Sequence, residues 1–177
     1  ATLADMVVTQ RAGVIQITAG STGASITEQG NEWIFRTAAN DSMQADALVQ
    51  YAKEELGLTK IATFTASDDY GQSGAKLLKS AAEKYGVDLV SEQIYNSGDK
   101  DMKPQLMTIQ ESGAEGIFMW GVYTEAALIA TQSQQLGLDV QLFGASAMAS
   151  QQLIELSGDA GQGLILTQAF LPHADIA

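Results

Sequence analysis

The sequence predicts an α/β fold: a doubly wound, mostly parallel sheet with helices on both faces. Two observations predict it. Short β-branched runs alternate with helical patterns through most of the chain, and several of those patterns stop at a glycine. Strands alternating with helices at this spacing imply right-handed βαβ crossovers, because each connection must pack back onto the sheet. With 177 residues, 46% of them apolar, the chain can fill the core of one ordinary domain or two small ones.

In chain order, residues 14–18 (Val-Ile-Gln-Ile-Thr) read as a strand ending in the small, polar segment Ala19-Gly20-Ser21-Thr22-Gly23. After a loop around Gly30-Asn31, Trp33-Ile34-Phe35-Arg36 is a short extended piece. Residues 45–56 are helical: Ala45, Leu48, Ala52 and Leu56 share one face, and Gly57 supplies the stop. Residues 60–65 form a strand and 72–85 a helix closed by Gly86; 87–95 form a strand and 101–112 a helix that tolerates Pro104 in its first turn. Residues 116–120 are a buried strand and 124–136 a helix stopped by Gly137. Then come a strand at 140–143, a short helix at 150–156 and a strand at 164–169.

The two ends are unequal. Residues 1–36 supply about one helix, one strand and an extended piece, too little to close a sheet, whereas 45–170 make a nearly complete doubly wound domain. The chain is therefore expected to begin inside one domain and continue into a second. A strand at 14–18 without neighbours leaves open edges, so the chain is expected to oligomerise or exchange strands.

Acidic residues outnumber basic ones 21 to 9, for a net charge of −12. Such a surface repels phosphate backbones and anionic lipid, which argues against nucleic-acid and peripheral membrane binding. The chain has no cysteine, which removes thiolate catalysis, zinc-thiolate sites and disulfides. No apolar run approaches the ~18 residues of a membrane span. The N-terminal residues show no basic segment followed by an apolar stretch, so an export signal is expected to be removed or to lie elsewhere.

In open parallel sheets, ligands bind outside the carboxyl ends of the strands. That rule selects Gly20-Ser21-Thr22, Ser67-Asp68-Asp69-Tyr70, Trp120-Gly121-Val122-Tyr123 and Gly144-Ala145-Ser146-Ala147-Met148. Each also has a structural reading. The glycines around Ser21 and Thr22 suit a plain turn, Asp68 or Asp69 suits a helix cap, Tyr70 and Tyr123 suit packing, and Trp120 and Met148 suit the core. Catalysis finds little support. The single histidine, His173, lies near the end of the sequence, so a Ser-His-Asp relay or a two-histidine metal site is disfavoured. Gly71-Gln72-Ser73-Gly74 lacks the spacing of a nucleophile elbow. No Walker or dinucleotide fingerprint is present, and neither cofactor nor metal is expected.

Several stretches resemble a known family. Asn31-Glu32-Trp33-Ile34-Phe35-Arg36-Thr37 followed by Asp41-Ser42-Met43-Gln44 is similar to the FRT…D..Q hinge of the amino-acid and amide type of periplasmic solute-binding proteins, the branched-chain amino acid receptors of ABC importers. Asp69-Tyr70-Gly71 with Gly74, Tyr95…Gly98-Asp99…Asp101, Gly121 with Tyr123 and Glu125, Gln134…Gly137-Leu138, and Gly158-Asp159-Ala160…Gly163 follow in order. The likeness runs from about Gly13 onward.

The resemblance implies two doubly wound lobes, hinged and closing on a solute. On it, residues 1–36 are the incomplete C-terminal part of lobe 1, 37–170 a nearly complete lobe 2, and 171–177 the start of a return hinge crossing. Ser21 and Thr22 resemble the lobe-1 pair that holds the solute's carboxylate and amine. Tyr70 resembles the aromatic that closes over it, and Tyr123 or Val122 the second lobe-2 contact. Ser146 stands where such receptors often carry a carboxylate for the ammonium group. Either Asp68 or Asp69 compensates, or the solute is an aromatic or aliphatic carboxylate or a neutral amide. The implied role is extracytoplasmic capture of a small polar metabolite for an ABC permease in the inner membrane. The alternative is a sensor domain of a receptor or regulator with the same fold.

Overall fold

The computed structural model describes residues 2–168. Its elements are α1 (Thr2–Ala12), β1 (Gln16–Thr18), β2 (Ile34–Arg36), α2 (Asp41–Glu54), β3 (Lys60–Ala66), α3 (Asp69–Tyr85), β4 (Asp88–Tyr95), α4 (Lys103–Ser112), β5 (Gly116–Trp120), α5 (Tyr123–Leu136), β6 (Gln141–Gly144), α6 (Gln151–Ser157) and β7 (Ile165–Leu166). The chain divides into two compact units, Ala1–Gln44 and Ala45–Ala177. That division lies later than the 36/37 boundary read from the sequence. The return crossing expected at 171–177 lies outside the described residues.

In the second unit one five-stranded sheet has the order β4-β3-β5-β6-β7, and every neighbouring pair is parallel. The central strands β3 and β5 are almost wholly buried because both their faces are covered. Ala62, Phe64, Ile117, Met119 and Leu142 point to one core, shared with Leu106 and Ile109 of α4 and Ile129 of α5. Ile61, Phe118, Trp120 and Phe143 point to the other, against Leu48 and Val49 of α2 and Leu78 and Ala82 of α3. Phe118 and Phe143, partners in the β5–β6 register, stack with centroids 4.3 Å apart.

Several boundaries move for local reasons. Helix α3 starts at Asp69 rather than at 72, because the Asp68 carboxylate accepts the Gly71 N–H at 2.8 Å and caps it. Helix α2 starts at Asp41 rather than at 45, with Asn40 Oδ1 accepting the Met43 N–H at 2.8 Å. The last strand, expected over 164–169, is limited to Ile165–Leu166, and Ala169 lies outside the described residues. Gly86 and Gly137 do end their helices, at φ of 64° and 65°, in the left-handed region glycine adopts without penalty.

The first unit holds α1 and a two-stranded parallel sheet in which β1 pairs β2, with Ile17 opposite Phe35. Strand β1 is shorter than the expected 14–18, since the Val14 N–H closes α1 by donating to the Thr9 carbonyl at 3.0 Å. It also has one neighbour, the extended piece at 34–36, where the sequence reading left it with none. Its buried core is small: Met6, Ile26 and Ile34. Ile15, Ile17 and Phe35 are exposed.

Helix α3 approaches the sheet closely at two glycines. A Cβ on Gly71 would lie 2.0 Å from the Ala66 carbonyl oxygen, and one on Gly74 would lie 2.1 Å from the Trp120 ring. Gly74→Ala is therefore expected to cost ~1–3 kcal/mol through overpacking, measured as a lower urea midpoint with an unchanged slope.

Candidate functional site

The sheet order creates a switch point. From β3 the chain passes through α3 to β4 on one side, then returns through α4 to β5 on the other side of β3. Consecutive crossovers therefore diverge between β3 and β5, and it is outside the carboxyl ends of strands at such a switch point that open parallel sheets take their ligands. The residues after β3 are Ser67 to Tyr70, and those after β5 are Gly121 to Tyr123. Of the residues predicted in this unit, Asp69, Tyr70, Val122 and Tyr123 follow these two strands, and Ser146 follows β6, one strand further along.

Their surroundings differ. Tyr70 is half-buried, its ring 6.0 Å from that of Trp120 and tilted 48° to it. Trp120 is fully buried, as the core reading expected, and its Nε1 has no hydrogen-bond partner among the described residues. Val122 is exposed and precedes α5, whose first residue, Tyr123, is half-buried. Ser146 is half-buried and opens a short 3-10 turn over Ser146–Met148. Met148 is fully buried and belongs to the core. Asp69 is exposed at the first position of α3, while the Asp68 carboxylate is engaged as the cap.

The floor and rim are held by polar groups that the sequence did not single out for this role. A Cβ on Gly121 would fall 1.8 Å from the Tyr95 hydroxyl, so this glycine lets the strand end lie on the phenol. Burial, then the charges of Glu125 and Asp68, push the Tyr95 pKa up and keep it protonated. The buried Glu125 carboxylate accepts the Gly98 N–H at 2.9 Å and the neighbouring Thr124 hydroxyl. One face further along α5, Gln132 accepts the Met102 N–H at 2.7 Å and donates to the Lys100 carbonyl at 2.8 Å. Together they pin the loop that follows β4. Glu125 carries a sequence signal in the resemblance, but Gln132 carries none, since a buried amide in a helix reads as a surface residue.

In the first unit, Ser21 and Thr22 follow β1 and are half-buried. The Ser21 hydroxyl shares a 2.7 Å hydrogen bond with the Thr2 hydroxyl, and its N–H donates to Thr18 Oγ1 at 3.2 Å. Arg36 clamps the segment: Nη1 donates to the carbonyls of Gly23 at 2.8 Å and Thr22 at 3.4 Å, and Nη2 to Thr27 Oγ1 at 2.8 Å. The Asp41 N–H donates to the Thr22 carbonyl at 2.9 Å. Among the described residues no group of three or more His, Asp or Glu gathers as a metal site, and no helix is long and apolar enough to cross a membrane.

Over residues 1–177 the chain matches the model of a family described as periplasmic binding protein. It is 29% identical over 162 residues to a leucine-, isoleucine-, valine-, threonine-, and alanine-binding protein of Pseudomonas aeruginosa, covering 92% of this chain and 43% of that one. A leucine binding protein from Thermotoga maritima superposes with a TM-score of 0.89 at 28% identity, over 98% of this chain and 49% of the other. A branched chain amino acid ABC transporter from Thermus thermophilus with bound valine gives 0.89 at 26% identity, over 99% and 46%. The chain thus spans less than half the length of these relatives.

The folded chain lowers the pKa of Glu125: burial pushes it up, but the hydrogen bonds from Thr124 and Gly98 outweigh that. Its contribution to stability is therefore full above the unfolded value, about 4.3, and lost as pH falls through the folded one. Glu125→Gln is expected to cost ~1–2 kcal/mol at pH 7 in urea unfolding, and the gap to the unsubstituted chain should close as the pH drops below about 4.

Proposed function

The chain belongs to the periplasmic binding protein family, and on that premise we propose that it is part of an extracytoplasmic receptor that captures a small polar metabolite for an ABC importer. The observation that carries this reading is the switch point between β3 and β5, followed by the half-buried Tyr70 and Tyr123 and by Val122. A crevice with aromatic walls and a few polar anchors suits a small solute. Ser21 and Thr22 supply hydroxyls from lobe 1, and the two lobes of the receptor close on the solute. Contacts made only in the closed form favour closure by their differential affinity. Residues 1–36 then belong to lobe 1 and residues 37–170 to lobe 2.

The names of the relatives point to aliphatic amino acids as first candidates. Ser146 brings no charge to the crevice and Asp68 is engaged as a cap, so Asp69 is the carboxylate of this rim left to face an ammonium group. Isothermal titration of the natural polypeptide that carries these residues, against leucine, isoleucine, valine, leucinamide and benzoate, should show micromolar or tighter binding of one class. Silence across that panel would refute the proposal. Tyr70→Ala should weaken the affinity ~10-fold, ~1.4 kcal/mol, with an unchanged far-ultraviolet dichroism spectrum.

We also infer that the 177-residue polypeptide on its own self-associates through its first unit. Strands β1 and β2 form a two-stranded sheet with an open edge on each side, and Ile15, Ile17 and Phe35 are exposed. In a preparation of this polypeptide alone, the strand available to those edges is that of another copy. Light scattering should report a dimer or larger species that Ile17→Lys shifts toward monomer. A monodisperse monomer with residues 16–18 protected from hydrogen exchange would overturn this.

A further inference from the structure

Tyr70 and Gly74 stand four residues apart in α3 and so share one face of the helix. Both meet the same ring. A Cβ on Gly74 would lie 2.1 Å from Cγ of Trp120, 2.3 Å from Cδ1 and 2.4 Å from Cδ2, so the helix backbone rests on the five-membered ring of the indole. One turn earlier, the Tyr70 ring packs against the core cluster that holds Trp120, with the two ring centroids 6.0 Å apart. Trp120 is itself fixed: it ends β5, pairs with Thr65 in the β3–β5 register and is fully buried. Its Nε1 has no hydrogen-bond partner among the described residues. A buried donor in that state costs stability, and a phenylalanine at this position would avoid the cost.

We propose that Trp120 is a positioning residue whose bulk sets where the Tyr70 ring stands, and through that ring which solute side chains fit. This deepens the solute-binding reading above and rests on it. A close-packed interior has little slack, so a change of ring size beneath a helix passes to the groups that the helix carries. The start of α3 is seated at three points: the Asp68 cap, Gly71 against the Ala66 carbonyl oxygen, and Gly74 against the indole. Tyr70 lies among them, and its ring cannot move toward the sheet past the indole. The unpartnered N–H agrees with this role, since Gly74 and Tyr70 use the shape of the indole and not its hydrogen bonding. Aliphatic amino acids differ in little but side-chain size, and one methylene in an apolar pocket changes affinity ~10-fold or more. Discrimination among them is then decided by a residue buried behind the one that touches the solute.

Two measurements test this, both on the natural polypeptide that carries these residues. The first needs no ligand. Trp120→Phe removes bulk beneath Tyr70, whereas Gly74→Ala adds it between the helix and the indole. Crystal structures of the two variants should show the Tyr70 ring displaced in opposite senses relative to β5; a ring left in place in either overturns the proposal. The second compares L-leucine with L-valine, one methylene apart, by isothermal titration. Trp120→Phe should change the ratio of the two affinities ~3-fold or more, and Gly74→Ala should change it in the opposite direction. In a Tyr70→Ala background both changes should vanish, because the coupling runs through that ring. Equal losses for both amino acids would make Trp120 merely structural and overturn the proposal, as would a change of ratio that persists without Tyr70. Binding of neither amino acid to the unsubstituted protein would count against the amino-acid reading itself, with Trp120 still decided by the crystal structures.

Discussion

The position of β3 between β4 and β5 is the constraint on which the second unit depends. Parallel strands cannot be joined by a tight turn, so each crossover must carry a helix across a face of the sheet. Because β4 lies on one side of β3 and β5 on the other, those helices cover opposite faces. The strand ends between them cannot be closed by either crossover. The switch point is a consequence of topology, and side chains decide what surrounds it. Close approach then refines it. Gly71 and Gly74 let α3 settle on the end of β3 and on Trp120, and that contact sets where the ring of Tyr70 stands.

A second theme is how an acidic chain uses its carboxylates. With a net charge of −12 it would seem to offer acidic groups freely. Yet Asp68 caps α3, Glu125 holds Gly98, and Asp99 accepts the Asn96 N–H at 2.8 Å. Each is engaged with a backbone N–H or a hydroxyl, where a negative charge strengthens the bond. These groups shape loops at strand ends, and the rim they leave is edged by hydroxyls and aromatic rings.

Much of the second unit was legible in the sequence. Periodic apolar positions marked α2, and glycine stops marked the ends of α3 and α5, because both signals come from local geometry. The strand ends that should carry Tyr70, Val122 and Tyr123 followed from the carboxyl-edge rule alone. Legibility failed in two ways: local caps shifted helix starts by a turn, and a distant segment decided a strand's pairing. Helix α3 gained its first turn from the Asp68 cap, and the start of α2 moved once Asn40 took the Met43 N–H. Strand β1 found a neighbour in β2, a pairing invisible in runs as short as Gln16–Thr18 and Ile34–Arg36.

The sequence by itself determined the class of fold and the order of its elements. These follow from chain-local properties: side-chain periodicity, β-branching and the backbone freedom of glycine. Only the tertiary structure decided which polar groups are committed and which remain to meet a solute. Whether Gln132 ties the loop after β4, and whether Arg36 clamps the carbonyls of Thr22 and Gly23, depend on burial and on partners far away along the chain. A hydrogen bond between distant residues forms only once folding has brought them together, so no local pattern can announce it.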